Sequence, residues 1–221
     1  MKMDYQKARK FMVDNQIRPN NIQNNKILEL FNSIEKENFI PEKYKDYAYF
    51  DDEINFDNNR SYLPNLHIAQ LIQSANLKLN EKVLHIGSLT GYVTTILSNL
   101  AKEVVAIESA KDLFSTLERN IKKLNLNNVT PINDNYENGY MKNRPYDVIF
   151  IDSITEFIPE IFYSQLNDST GRILLIEKIN SNLQKGVIIT KNNTSYLKEY
   201  IFDSLLKSSP LFKLKEKFKF L

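Results

Sequence analysis

The chain of 221 residues contains no cysteine. Disulfide bridges, zinc–thiolate centres and thiol nucleophiles are therefore excluded. There are two histidines, His67 and His85, too few for a histidine-built centre, and no metal is expected. No apolar run approaches the roughly 20 residues that a membrane span requires. The start, Met1-Lys2-Met3-Asp4-Tyr5, lacks the apolar core of a signal peptide. A cytoplasmic protein without a membrane partner is expected. Charge of one sign is also scarce: the net charge is +2, which gives no reason to expect nucleic acid as a partner. Only the last stretch is locally basic, through Lys207, Lys213, Lys215, Lys217 and Lys219, and lysines solvated along an edge strand account for it.

Glycine is the most informative scarcity. The chain has five, where average usage of roughly 7% would give about 15. Two of the five, Gly87 and Gly91, stand in one turn, which marks positions needing a backbone free of a Cβ. Before the turn comes the apolar run Val83-Leu84-His85-Ile86; after Gly87-Ser88-Leu89-Thr90-Gly91 come a helical pattern and a second apolar run, Val104-Val105-Ala106-Ile107, ending in Glu108. This spacing predicts a parallel βαβ unit. Such a unit sets the turn and the end of the second strand side by side at the C-terminal edge of a sheet, where ligands of open α/β sheets bind. The turn would lie beneath the polar tail of an adenosine-containing ligand, with backbone N–H groups pointing at it. Glu108, 21 positions after Gly87, would accept hydrogen bonds from ribose hydroxyls. The plainer alternative is an ordinary strand-to-helix turn with Glu108 as a solvated strand end.

A hydrophobic content of 42% is enough for a sizeable core. Apolar spacing near 3.6 predicts amphipathic helices over residues 5–16 and 25–34, a third through His67, Leu71, Ile72 and Ala75, and a fourth through Leu113, Leu117, Ile121 and Leu124. Residues 51–59 show no periodicity and read as an irregular loop. Strands are predicted at 129–132, 146–152 and 172–176, with a helix over 158–166 between the last two. Segments 186–189 and 195–202 read as an antiparallel hairpin at one edge, and 212–220 alternates as a further strand. The expected class is α/β: a doubly wound, mostly parallel sheet with N-terminal helices and an antiparallel C-terminal edge. Residues 1–78 would form a helical and loop extension packed on a core of residues 79–221, one compact unit.

The run Lys82-Val83-Leu84-His85-Ile86-Gly87-Ser88-Leu89-Thr90-Gly91-Tyr92 resembles the nucleotide turn of protein-L-isoaspartate O-methyltransferases, V-L-E-I-G-x-G-x-G-Y. Other pieces agree in order. Met12-Val13-Asp14-Asn15-Gln16-Ile17 is similar to the family's N-terminal helix, Glu37-Asn38-Phe39-Ile40-Pro41 to its R-x-x-F-V-P turn, and Ala48-Tyr49-Phe50-Asp51 to its A-Y-x-D segment. Asn133-Asp134-Asn135 stands where the family has G-D-G, and Tyr146-Asp147-Val148-Ile149, Ile158-Pro159, Gln165-Leu166 and Gly171-Arg172 also match.

The resemblance implies a class I fold that uses S-adenosylmethionine to methylate the free carboxylate of an isoaspartyl residue in damaged protein. It places Gly87 and Gly91 near the methionine moiety, Glu108 at the ribose and Asp134 at the adenine amino group, with Ser88, Ser109 and Asn135 lining the same pocket. A carboxylate acceptor is already ionised at pH 7 and a sulfonium is an activated donor, so no general base or nucleophile is required. The family's T-I-S-x-P segment aligns through Pro64 with Ser61-Tyr62-Leu63-Pro64. Its serine position is then Tyr62, with Ser61 in that place only after a one-residue slip; these two are the candidate catalytic residues. Leu89 replaces the middle glycine, where it either crowds the ligand or turns into the core, and His85 replaces the strand's acidic residue. The partner implied is an isoaspartyl protein or peptide, and the molecule a monomer or homodimer. The alternatives are a relative with another acceptor, or a non-catalytic binding or scaffold module with an altered pocket. Base methylation is disfavoured because no Asn-Pro-Pro-Tyr segment follows Ile151-Asp152-Ser153, and a dinucleotide oxidoreductase because the turn lacks G-x-G-x-x-G spacing.

Overall fold

Asp4 opens the first helix locally. Its carboxylate accepts the Lys7 N–H at 3.1 Å and caps α1, Tyr5–Met12. In this computed structural model, which describes residues 3–56, 60–192 and 194–214, the helix predicted over 5–16 continues as a wider π-turn, Val13–Ile17. Pro19 follows, and its ring cannot share a regular α-turn with the carbonyl four residues back. Helix α2, Asn25–Ser33, is capped by the Asn24 side chain and buries Ile27, Leu28, Leu30 and Phe31. Helix α3, Asn65–Ala75, ends at Asn76 in the left-handed conformation.

Two short strands, β1 (Ile54–Asn55) and β2 (Ser61–Tyr62), pair antiparallel. The expected irregular loop over 51–59 thus contains a strand, recruited by pairing with a partner that local periodicity cannot reveal; residues 57–59 lie outside the described residues. The main sheet has seven strands: β3 (Lys82–Ile86), β4 (Glu103–Ile107), β5 (Val129–Ile132), β6 (Val148–Thr155), β7 (Arg172–Asn180), β8 (Leu183–Asn192) and β9 (Ser195–Ser204). Their order is β5-β4-β3-β6-β7-β8-β9. The first five run parallel and the last two add antiparallel, as the sequence predicts. Strand order reverses between β3 and β6, and this is the switch point where a crevice opens at the carboxyl edge.

Helices α4 (Tyr92–Ser98) and α5 (Lys111–Lys123) make the crossovers after β3 and β4. Their apolar residues join those of α1, α2 and α3 in one cluster on a single face of the sheet. The opposite face, with Leu84, Ile86, Ile149, Ile151, Ile173 and Leu175, is covered by Tyr146, Phe162, Leu166 and Phe212 from short turns and from the segment after β9. The helix expected over 158–166 is only a 3-10 turn, Glu160–Gln165. The chain must bridge to Tyr146, whose N–H donates to the Gln165 carbonyl at 2.8 Å and whose carbonyl accepts from Asn167 N–H at 2.8 Å. That fixes where the turn ends. The strand expected over 212–220 reduces to a bridge between Phe212 and Thr155, with residues 215–221 outside the described residues. Lys207 and Lys213 lie beyond β9 rather than along an edge strand.

Candidate active site

The turn after β3 is built by its glycines. Gly87 has φ +80° and Gly91 φ +97°, values that L side chains avoid. The Gly87 and Ser88 N–H groups both donate to the Ile107 carbonyl at 3.0 Å, which locks the turn against the end of β4. Leu89 also lies in the left-handed region, at φ +51°. Its side chain is wholly buried within the helix-side core, so of the two orientations open to it, it takes the one into the core.

Glu108 lies just beyond β4 and is fully buried, which removes the reading of a solvated strand end. Its carboxylate accepts the Leu89 N–H at 2.9 Å, the Ala110 N–H at 3.0 Å and the Tyr136 hydroxyl. Arg60 completes the surroundings. Its Nη2 lies 3.5 Å from Glu108 Oε2 and donates to the Gly87 carbonyl at 3.1 Å, while its guanidinium stands 5.2 Å from the centre of the Tyr136 ring. Burial, with the neighbouring Glu108 carboxylate, pushes the Tyr136 phenol up despite the guanidinium beside it.

The other expected residues fall around this centre. The Ser88 hydroxyl is buried and donates to the His85 carbonyl at 3.2 Å. Ser109 is exposed beside Glu108; its carbonyl and that of Glu108 both accept from the Asn133 amide, at 3.2 and 2.7 Å. Asp134 and Asn135 are exposed at the end of β5, where Asp134 Oδ1 accepts the Asn135 N–H at 2.7 Å and Asn135 caps the next turn. Of the candidate catalytic pair, Ser61 is almost wholly buried, and Tyr62 is entirely so with its hydroxyl on Thr90 of the glycine turn. Burial pushes that phenol well up. Thr90 donates in turn to the Phe39 carbonyl at 2.6 Å.

Beside Tyr62 lies a buried polar group. Lys36 Nζ donates to Asn65 Oδ1 at 2.7 Å and sits 5.3 Å from the ring centres of both Tyr62 and Tyr92. His85 bonds Thr94 through Nδ1 at 2.9 Å, and its Nε2 lies 3.5 Å from Asp152 Oδ2. Sequence reasoning missed Arg60 and Tyr136. Both stood two positions from residues already singled out, Tyr62 and Asp134, but only the folded chain carries them to Glu108.

A family model described as protein-L-isoaspartate(D-aspartate) O-methyltransferase matches residues 7–205. The chain belongs to that family. The enzyme class that goes with it is an S-adenosylmethionine-dependent O-methyltransferase. Among curated relatives, a protein-L-isoaspartate O-methyltransferase of Dictyoglomus turgidum is 30% identical over 195 residues, 88% of this chain and 87% of the relative. One from Syntrophus aciditrophicus is 32% identical over 171 residues, 77% of this chain and 78% of the relative. A solved protein-L-isoaspartate O-methyltransferase superposes with a TM-score of 0.78 at 21% identity, over 93% of this chain and 66% of that one, a likeness of fold.

The family implies an adenosyl cofactor along the glycine turn. A single carbon added to Gly87 would stand 2.8 Å from Arg60 Nη2 and 3.5 Å from Leu211 Cδ2. The space against Gly87 therefore holds the flexible end of the Arg60 side chain, with Leu211 in ordinary contact beside it. A group approaching Gly87 and Glu108 would have to displace the Arg60 guanidinium.

Proposed function

We propose that this enzyme methylates the free carboxylate of isoaspartyl residues in cytoplasmic proteins or peptides, with S-adenosylmethionine as donor. The reading is carried by the pairing of the Gly87–Gly91 turn with a buried acid at the sheet's switch point in a chain of this family. The proposed cofactor-facing residues are Gly87, Ser88, Gly91, Glu108, Ser109, Asp134 and Asn135. Of these, Glu108 has its carboxylate fixed by the Leu89 and Ala110 N–H groups, giving a rigid acceptor for hydroxyl donors.

Tyr62 and Ser61 take a more limited part than acid or base. The Tyr62 phenol stays protonated at neutral pH and is already bonded to Thr90, so it serves to position the turn and wall the acceptor side. An acceptor carboxylate needs no deprotonation at pH 7. No described helix is long and apolar enough to cross a membrane. The test is transfer of labelled methyl to a peptide carrying one isoaspartate and to its aspartyl counterpart. Base-labile label on the first alone is expected. Label on neither, with folded protein, would contradict the reading.

A further inference from the structure

At the carboxyl edge the Arg60 guanidinium lies on the Gly87 carbonyl and the Glu108 carboxylate, two groups of the proposed cofactor site. We propose that Arg60 is an internal occupant of the cofactor site, so that the Arg60–Glu108 pairing and cofactor binding exclude each other. This rests on the function proposed above.

The guanidinium touches the two groups that the turn and β4 present at this edge, the Gly87 carbonyl and the Glu108 carboxylate, and lies over Tyr136. It thus sets a positive charge beside a carboxylate with no solvent exposure. Arginine suits such a place because its weakly hydrated, planar fork can donate to two acceptors while stacking on a ring. Glu108 does not depend on it: two backbone N–H groups and the Tyr136 hydroxyl remain if Arg60 leaves. An ion pair needed for folding would leave the carboxylate bare on removal of its partner; here removal leaves a prepared acceptor. Leu211 borders the same space, and its N–H is anchored to the Ile154 carbonyl at 2.7 Å. Leu211 lies beyond residue 205, where the match to the family ends, so the closure uses a segment outside the matched region.

The experiment is calorimetric titration of the full chain and of Arg60→Ala with S-adenosylhomocysteine, with unliganded melting curves to establish that each is folded. The variant is expected to bind at least ten-fold more tightly than the natural chain. Arg60→Lys, which keeps the charge on a narrower group without the fork, is expected to fall between them and serves if the alanine variant does not fold. Equal affinity in folded natural and variant chains would overturn the proposal while leaving the proposed function standing. No binding by any of the three would overturn both.

Discussion

Leu89 sits where the family's turn carries its middle glycine, and its position has a measurable cost. A leucine held at φ +51° stores of order 1 kcal/mol of backbone strain. The fully buried side chain contributes more, since truncating a core leucine costs about 2–5 kcal/mol. Leu89→Gly should therefore lower stability by about 1–4 kcal/mol in urea unfolding; a gain in stability would mean that the core contact is worth less than the strain. Lys36 gives a second prediction. Burial brings its amine down to about 7 from 10.5, against the pull of Asp152. Between those values the unfolded chain binds the proton and the folded chain does not, so stability rises with pH from about 7 towards 10 and levels off below 7. Lys36→Met should flatten that rise between pH 7 and 9 in denaturant midpoints; an unchanged slope would assign it to another group. At this scale the sequence was legible where chemistry forces one residue type, as at Gly87 and Gly91. It was silent on Arg60, whose partner Glu108 is 48 positions away.

Elements with strong local pattern match their expected spans: β5 as predicted, α2 and α5 to within a residue or two, β3 and β4 around the turn. The misses share a cause. Residues 158–166 carry a helical pattern, but bridging to Tyr146 stops them after one 3-10 turn, and β1 exists only because β2 lies beside it. Long-range pairing decided both. A similar long-range tie holds β7 to the chain before the sheet: the Arg172 guanidinium meets the Glu81 carboxylate in a two-pronged pair at 3.0 and 2.8 Å, both side chains nearly buried. Removing one partner of such a pair strands a buried charge. Arg172→Ala is expected to cost about 3–5 kcal/mol, seen as a lowered denaturant midpoint with m unchanged. A cost near zero would show that the pair is solvated in solution.

For the whole molecule, strand order is the property that makes a site. Because β3, β4 and β5 run parallel as neighbours, the glycine turn, Glu108 and the end of β5 share one edge, beside the reversal between β3 and β6, and the alternation of strands and helices in the sequence foretold it. How that edge is closed was not foretold. The covering residues, Arg60 and Leu211, come from segments with little periodicity on either side of the core, and their meeting at Gly87 is a product of the complete fold. We propose that this edge is the cofactor site and that Arg60 holds it in the absence of cofactor. A crystal structure of the natural chain with S-adenosylhomocysteine tests it most directly. The ligand is expected along Gly87–Gly91, with its ribose on Glu108 and the Arg60 guanidinium withdrawn from that carboxylate. Ligand bound elsewhere, with Arg60 still on Glu108, would contradict it.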